Sequence, residues 1–426
     1  MQENDQNSNV KNSFEHLIRQ LTDEFWKLLR ISIFEFRIFV MTGKLILEDG
    51  SEFEGQSFGA PTSTAGEVVF STGMVGYPES LTDPSYLGQI LILTYPLIGN
   101  YGVPDKKYWE SDSIKVSGLI VSSYIDAPSH IQSKQTLSDW LKSEKIPALE
   151  IADTRMLTQK IRSKGAMLGK IVVDPEQSRR IPFYDPNKEN LVAKVSTKKV
   201  IQHNYHATVR GSCAKTVLLI DCGVKKNISR CLLKRNVRVI IVPWDFDPFD
   251  EGVHLRGVAS PGTVWHLASQ HLGGVRMDSS EVNRFDAIVV SNGPGDPKMA
   301  DKTIQTIKKA IAENIPILGV CLGHQLLALA AGGDTKKLKF GHRGQNQPCI
   351  MEGSSRCFIT TQNHGFEVYK IPQGFKPLFT NANDGSNEGI IHNKLPIMSV
   401  QFHPEANPGP NDTEWIFDYF LNRIRK

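Results

Sequence analysis

The 426-residue chain has little net charge, with 49 Lys and Arg against 45 Asp and Glu, a formal balance of +4. So small an excess excludes a basic nucleic-acid footprint and implies no strongly acidic substrate. The six cysteines, Cys213, Cys222, Cys231, Cys321, Cys349 and Cys357, form no Cys-x-x-Cys pair and no zinc-ligand spacing. Reduced thiols in an intracellular compartment are therefore expected, with no structural metal. There is no Gly-x-x-x-x-Gly-Lys phosphate loop, which removes the commonest signature of an ATP site. Low-complexity tracts and internal repeats are absent. The apolar stretch 31–40 is interrupted by Glu35 and Arg37 and is too short to span a bilayer. Acidic residues through the first 40 positions, and no small-residue cleavage site after a clean apolar core, argue against a transit or signal peptide. A cytoplasmic location is expected.

Length and composition fit two or three globular domains. Residues 1–40 begin polar and continue as an amphipathic stretch, which reads as an extension outside the core. Residues 41–195 read as a strand-rich α/β domain. Within it, residues 44–48 and 52–55 flank Asp49-Gly50 and predict a hairpin. Residues 67–70 and 89–94 predict strands, and 136–142 and 154–164 predict helices, the second with Asp153 as N-cap. Residues 196–214 are polar and lack periodicity, so they read as a linker. From 215 to 426 strands alternate with helices: strand 216–220, helix 225–234, strand 237–242, strand 286–290, helix 302–314. That order predicts a mostly parallel open sheet covered on both faces, with its ligand site outside the carboxyl ends of the strands.

The centre of the second domain is Gly319-Val320-Cys321-Leu322-Gly323. An apolar run at 315–318 predicts a buried strand, and 324–331 predicts a helix stopped by Gly332-Gly333. A cysteine flanked by glycines two residues away on each side, at a strand-to-helix turn, is a nucleophile elbow with sulfur in place of oxygen. The helix N-terminus brings free N–H groups and partial positive charge to the sulfur, which favours thiolate. A lone cysteine is more often buried and inert, but this setting favours a nucleophile.

A thiol nucleophile commonly takes an imidazole as base, and a third group orients the ring. His403-Pro404-Glu405 follows the predicted strand 396–402 and offers both, provided i and i+2 share a face of an extended segment. Of the other histidines, His364 lacks a carboxylate at i+2 and reads as structural, and His324 reads as packing beneath the elbow. The second rigid turn, Ser291-Asn292-Gly293-Pro294-Gly295-Asp296-Pro297, also falls at a strand's carboxyl end.

Together, Gly319 to Gln325, Ser291 to Pro297, Gln362 to Phe366 and His403-Pro404-Glu405 resemble the class I glutamine amidotransferases. Leu47-Glu48-Asp49-Gly50, Gly66-Glu67-Val68-Val69-Phe70, Asp83-Pro84-Ser85-Tyr86 and Asn381-Ala382-Asn383-Asp384-Gly385-Ser386-Asn387-Glu388-Gly389 narrow this to a resemblance to the carbamoyl phosphate synthetase small subunit. The likeness is strongest to the animal form, in which this unit begins a multifunctional pyrimidine-pathway protein. It runs from Met41 to the C-terminus apart from 250–283, where the family has only a short connection; that stretch reads as an irregular insertion. The resemblance implies a glutaminase with Cys321 as nucleophile, His403 as acid and base, and Glu405 as orienting carboxylate. It implies an oxyanion hole at the N–H groups of Gly293 and Leu322. It matches Ser85, Gly293, Gly295, Leu322, Gln325, Asn363, Gly365 and Phe366 to the family's glutamine-binding positions. L-glutamine and a synthetase large subunit are the implied partners, with no nucleic acid and no membrane. ATP, Mg and bicarbonate would be used by that partner, and no cofactor or metal by this chain. The competing readings are a glutaminase serving another synthetase, such as those making guanylate or anthranilate, and an inactive regulatory subunit.

Overall fold

The computed structural model describes residues 22, 41–173, 181–203, 215–250 and 285–424. The N-terminal extension but for Thr22, residues 204–214 of the expected linker and the insertion beyond Asp250 lie outside the described residues.

The first half of the chain supplies seven strands: β1 (Thr42–Leu47), β2 (Glu52–Ser57), β3 (Thr64–Ser71), β4 (Gln89–Leu93), β5 (Gly118–Val121), β6 (Ala148–Glu150) and β7 (Met167–Val172). The expected hairpin is present, closed by Asp49-Gly50 with Gly50 at φ 82°. Gly50 N–H donates to the Leu47 carbonyl at 3.0 Å. These strands form a closed barrel in the order β1-β2-β6-β5-β4-β3-β7. Closure comes from β7, which pairs antiparallel with both β1 and β3. Side chains alternate: Leu45 and Leu47 of β1 are fully buried, as are Val68, Ile90, Ile92 and Ile120 beside them. Burying one such aliphatic side chain contributes about 1.5–3 kcal/mol. The helix Thr154–Lys164 starts where expected, with Asp153 Oδ1 accepting from Met156 N–H at 2.8 Å.

The second half supplies β8 (Ile201–His203), β9 (Thr216–Asp221), β10 (Arg238–Pro243), β11 (Ala287–Val290), β12 (Ile317–Val320), β13 (Asp334–Met351), β14 (Cys357–Lys370), β15 (Phe375–Asn381), β16 (Asn387–His392) and β17 (Ile397–Val400). They form one sheet in the order β14-β13-β15-β16-β17-β12-β11-β9-β10-β8. The five central strands β17, β12, β11, β9 and β10 are parallel. Every residue of β9, β11, β12 and β17 is buried, as strands covered on both faces require. Beyond β17 the sheet continues antiparallel through β16, β15, β13 and β14. β8 lies inside the stretch read as a linker, where Ile201 and His203 pair with Ile241 and Val239 of β10. Three extended residues on an exposed sheet edge need no apolar periodicity, which is why that stretch reads as irregular.

The strand order decides what meets what. β12 carries Cys321 at its carboxyl end, and its two neighbours are β17, which leads to His403, and β11, which leads to Gly293.

Candidate active site

Cys321 stands between β12 and the helix Leu322–Ala330 with φ 53° and ψ −102°, a left-handed conformation that costs a non-glycine residue roughly 1–3 kcal/mol. Neighbouring strands hold it there. Cys321 N–H donates to the Val400 carbonyl of β17 at 2.9 Å, and Gly323 N–H donates to the Ser291 carbonyl at 3.1 Å. The flanking glycines are steric necessities: a Cβ on Gly319 would lie 2.4 Å from the Gly323 carbonyl oxygen, and one on Gly323 would lie 2.2 Å from that of Val290. The thiol is buried and points at the Asn363 carbonyl, 3.6 Å away. Gln401 Nε2 stands 3.8 Å from the sulfur.

His403 and Glu405 meet, though by a route other than a shared strand face. The chain turns after β17, with Ala406 N–H donating to the His403 carbonyl at 3.1 Å and with Ala406 and Asn407 at positive φ. This brings His403 Nδ1 to 2.6 Å from Glu405 Oε1, both residues buried. Nδ1 thus carries the proton shared with Glu405, and Nε2 has no hydrogen-bond partner among the described residues. Burial disfavours the imidazolium, but the charges of Glu405 and of the Cys321 sulfur outweigh it and raise His403 to about 10. Burial likewise disfavours the Glu405 carboxylate, and His403 and Lys225 outweigh that, lowering it to about 2.

Lys225 carries no signal in the sequence. It sits just ahead of the helix Lys226–Leu233, at the carboxyl end of β9, and its Nζ lies 3.2 Å from Glu405 Oε1 and 2.6 Å from the Ala406 carbonyl. Burial opposes its charge; Glu405, Glu110 and Asp83 together raise its pKa nonetheless.

One pocket beside the sulfur is lined by all eight residues matched to glutamine binding: Ser85, Gly293, Gly295, Leu322, Gln325, Asn363, Gly365 and Phe366. Gly293 packs so tightly on Cys222 that a Cβ would lie 2.1 Å from its carbonyl oxygen. Gln325 Nε2 donates to the Phe366 carbonyl at 2.9 Å and to Gln401 Oε1 at 3.1 Å, which fixes its amide. Ser85 comes from the barrel domain, and the contact that seats it is Asp83. The carboxylate of Asp83 accepts from Ser85 N–H at 2.9 Å, from Asn292 Nδ2 at 3.3 Å and from Asn363 Nδ2 at 3.0 Å. Asn292 Nδ2 also donates to Ser85 Oγ at 2.9 Å. A second buried carboxylate of the barrel domain, Glu110, accepts from Arg230 Nη1 at 3.0 Å and from Asn227 N–H at 2.9 Å. Both acids join the barrel to the sheet domain, and their meaning is invisible until the domains are together.

Three other histidines among the described residues are engaged elsewhere. His364 lines the pocket, but its Nδ1 bonds to the Phe366 carbonyl at 2.8 Å, and burial holds its pKa well below the usual value. His324 is packed under the elbow against Ser399 Oγ at 2.9 Å, and burial lowers it to about 3. His342, His364 and Glu388 place ligand atoms within 4.8 Å of one another, the one such metal-capable group among the described residues. Here the cluster is hydrogen-bonded: His342 Nε2 lies 2.9 Å from Asp384 Oδ2, and Asn381 Nδ2 donates to Glu388 Oε1 at 3.0 Å. No helix of the described residues is long and apolar enough to cross a membrane.

Two family models match the chain. Residues 45–171 match the carbamoyl-phosphate synthase small chain, CPSase domain, and residues 218–423 match the class-I glutamine amidotransferases. Among curated proteins, the multifunctional protein CAD of Squalus acanthias is 47% identical over 393 residues, covering 89% of this chain and 16% of that protein. The multifunctional protein pyr1-3 of Dictyostelium discoideum is 44% identical over 402 residues, covering 90% and 17%. The mitochondrial carbamoyl-phosphate synthase [ammonia] of Homo sapiens is 42% identical over 413 residues, covering 94% and 25%. The chain thus spans a quarter or less of the length of these relatives.

Proposed function

Residues 45–171 belong to the carbamoyl-phosphate synthase small-chain family and residues 218–423 to the class-I glutamine amidotransferase family, and from that premise we propose that this chain is the glutamine-hydrolysing component of a carbamoyl-phosphate synthase. The observation that carries the reading is the pocket at Cys321, which gathers residues of both domains around a buried thiol with the His403–Glu405 pair beside it.

In this reading the Cys321 sulfur, its proton already passed to His403, attacks the side-chain amide carbon of L-glutamine. The charge that develops on the amide oxygen falls to the N–H groups of Gly293 and Leu322. Preorganised donors of this kind are worth roughly 3 kcal/mol of barrier each. His403 returns the proton to the leaving nitrogen, ammonia departs, and a glutamyl thioester remains on Cys321. Water then attacks the thioester with His403 as base, which releases glutamate and restores the thiol. Glu405 keeps the ring in one tautomer and offsets the charge on the imidazolium, and Lys225 holds the Glu405 carboxylate in place.

The ammonia would pass through an internal channel to a synthetase large subunit or domain, which joins it to bicarbonate using ATP and Mg. The product would feed pyrimidine or arginine synthesis in the cytoplasm. Isolated, the chain is expected to hydrolyse glutamine slowly, and faster when the partner turns over, as a conformational gate requires. The test is glutamate release with and without the large partner, ATP and bicarbonate. Equal rates in every condition, with no complex on size-exclusion chromatography, would overturn the coupled reading.

A further inference from the structure

Three side chains that take no part in the thiol chemistry converge from three strands of the sheet domain. His342 of β13 and His364 of β14 are cross-strand partners, and Glu388 of β16 meets both. The histidines are 9% and 5% exposed, and Glu388 is wholly buried. The far nitrogen of each ring is taken. His342 Nε2 lies 2.9 Å from the Asp384 carboxylate, which only accepts, so Nε2 carries a proton. His364 Nδ1 lies 2.8 Å from the Phe366 carbonyl and carries one for the same reason. The near nitrogens face the acid: His342 Nδ1 is 3.4 Å and His364 Nε2 is 3.9 Å from Glu388 Oε1. Gln362 donates through Nε2 to Thr360 Oγ1 at 3.2 Å, which leaves its Oε1 as a further oxygen 3.3 Å from His364 Nε2. Glu388 Oε1 accepts from Asn381 Nδ2 at 3.0 Å, and Oε2 has no hydrogen-bond partner among the described residues.

Acceptor atoms that face one another in a buried space repel unless a cation stands between them. Burial disfavours charge on His342, yet Glu388 and Asp384 outweigh it and raise its pKa, so a proton on Nδ1 is one cation for this space. Burial and the neighbouring charges of His342, Arg343 and His403 keep His364 neutral, the form that binds a metal. Zinc held at about 2.0–2.1 Å sets tetrahedral ligands about 3.3 Å apart. The 3.4 Å separation meets that, and the 3.9 Å one needs about half an ångström of closure. Two imidazoles and a carboxylate suit zinc, and the far-nitrogen bonds to Asp384 and Phe366 are the support that ligating histidines take. We propose that His342, His364 and Glu388 bind a divalent metal ion of the zinc class. The cysteine spacing that excludes a thiolate zinc site has no bearing on this one. The ion ties β13, β14 and β16 together. His364 stands between Asn363 and Gly365 in the wall of the Cys321 pocket, so an occupied site fixes that wall.

The test uses the full chain carrying Cys321→Ser, so that no active-site thiolate competes, freed of metal by a chelator. Zinc chloride is titrated against a chromophoric zinc indicator, and the parent should take up one ion. Adding His342→Asn or Glu388→Gln should weaken that binding by more than about 100-fold, beyond the range of a supporting-residue change. Asp384→Asn, which only orients the His342 ring, should weaken it roughly 10- to 100-fold. Saturating zinc should raise the unfolding temperature of the parent and not that of His342→Asn, because only an ion bound to the folded chain stabilises it. Cobalt in place of zinc should give the visible bands of nitrogen and oxygen ligands with no thiolate charge-transfer band. Circular dichroism checks each variant; should Glu388→Gln fail to fold, His342→Asn at the margin of the cluster decides. No uptake by the parent, unchanged affinity in His342→Asn, or a cobalt spectrum with thiolate charge transfer would overturn the proposal.

Discussion

Lys225 Nζ lies 3.2 Å from Glu405 Oε1, both side chains out of solvent, and the second carboxylate oxygen of Glu405 has no hydrogen-bond partner. The orienting carboxylate is thus held between two cations, the Lys225 ammonium and the imidazolium of His403. Lys225→Met removes one of them and leaves a buried carboxylate half-compensated. Breaking such a pair costs about 3–5 kcal/mol. The variant should unfold at lower guanidinium concentration and release glutamate far more slowly. Adding Glu405→Gln to it should restore most of the stability and none of the rate. Lost stability in the double variant equal to the sum of the singles would mean the two residues are independent.

Cys321→Ser should abolish glutamate release at little cost to the fold, because a hydroxyl is nearly isosteric with the buried thiol but far less ionised near neutral pH. Circular dichroism and the unfolding midpoint should match wild type. Near-normal release would remove Cys321 from the chemistry.

The titrations of His403 and Glu405 set two pH windows. Glu405 is lowered from 4.5 to about 2, so its contribution is present above about pH 4.5 and is lost as pH falls toward 2. His403 is raised from 6.5 to about 10, so its contribution is present below about pH 6.5 and is lost as pH rises toward 10. Urea unfolding should therefore show the gap between wild type and His403→Asn at its widest between about pH 4.5 and 6.5, narrowing on both sides. Part of the rise in His403 comes from the Cys321 sulfur, so in Cys321→Ser the ring should titrate at lower pH by NMR.

Asp83→Ala deletes the acceptor that serves Asn292, Asn363 and Ser85 at once. Each buried donor left unpaired costs about 1–3 kcal/mol. Since Asn363 and Ser85 line the pocket, KM for glutamine should rise at least about tenfold, with a smaller change in kcat. An unchanged KM would show that the barrel domain does not complete the pocket.

The sequence carried the features that are local. The elbow was legible because two glycines at fixed spacing have one steric use there, and the βαβ order was legible because β9, β11 and β12 are built on apolar runs with helical stretches between them. The closure of the barrel by β7 was not, since it depends on pairing Lys44 with Val172 across more than a hundred residues. The antiparallel continuation past β17 was also hidden, because mixed-burial strands such as β13 lack a clean period. In the site, His403 and Glu405 stood out by their adjacency in the chain. Lys225, Asp83, Glu110 and Arg343 did not, since a charged residue looks solvated until the fold shows it buried.

The backbone of Cys321 has a consequence for the history of the chain. At φ 53° and ψ −102° the residue sits where glycine would rest without steric cost. Every generation of random change therefore offers this position a replacement that relaxes the turn and ends the reaction together. Cysteine at such a position carries a backbone cost that only its thiol can offset.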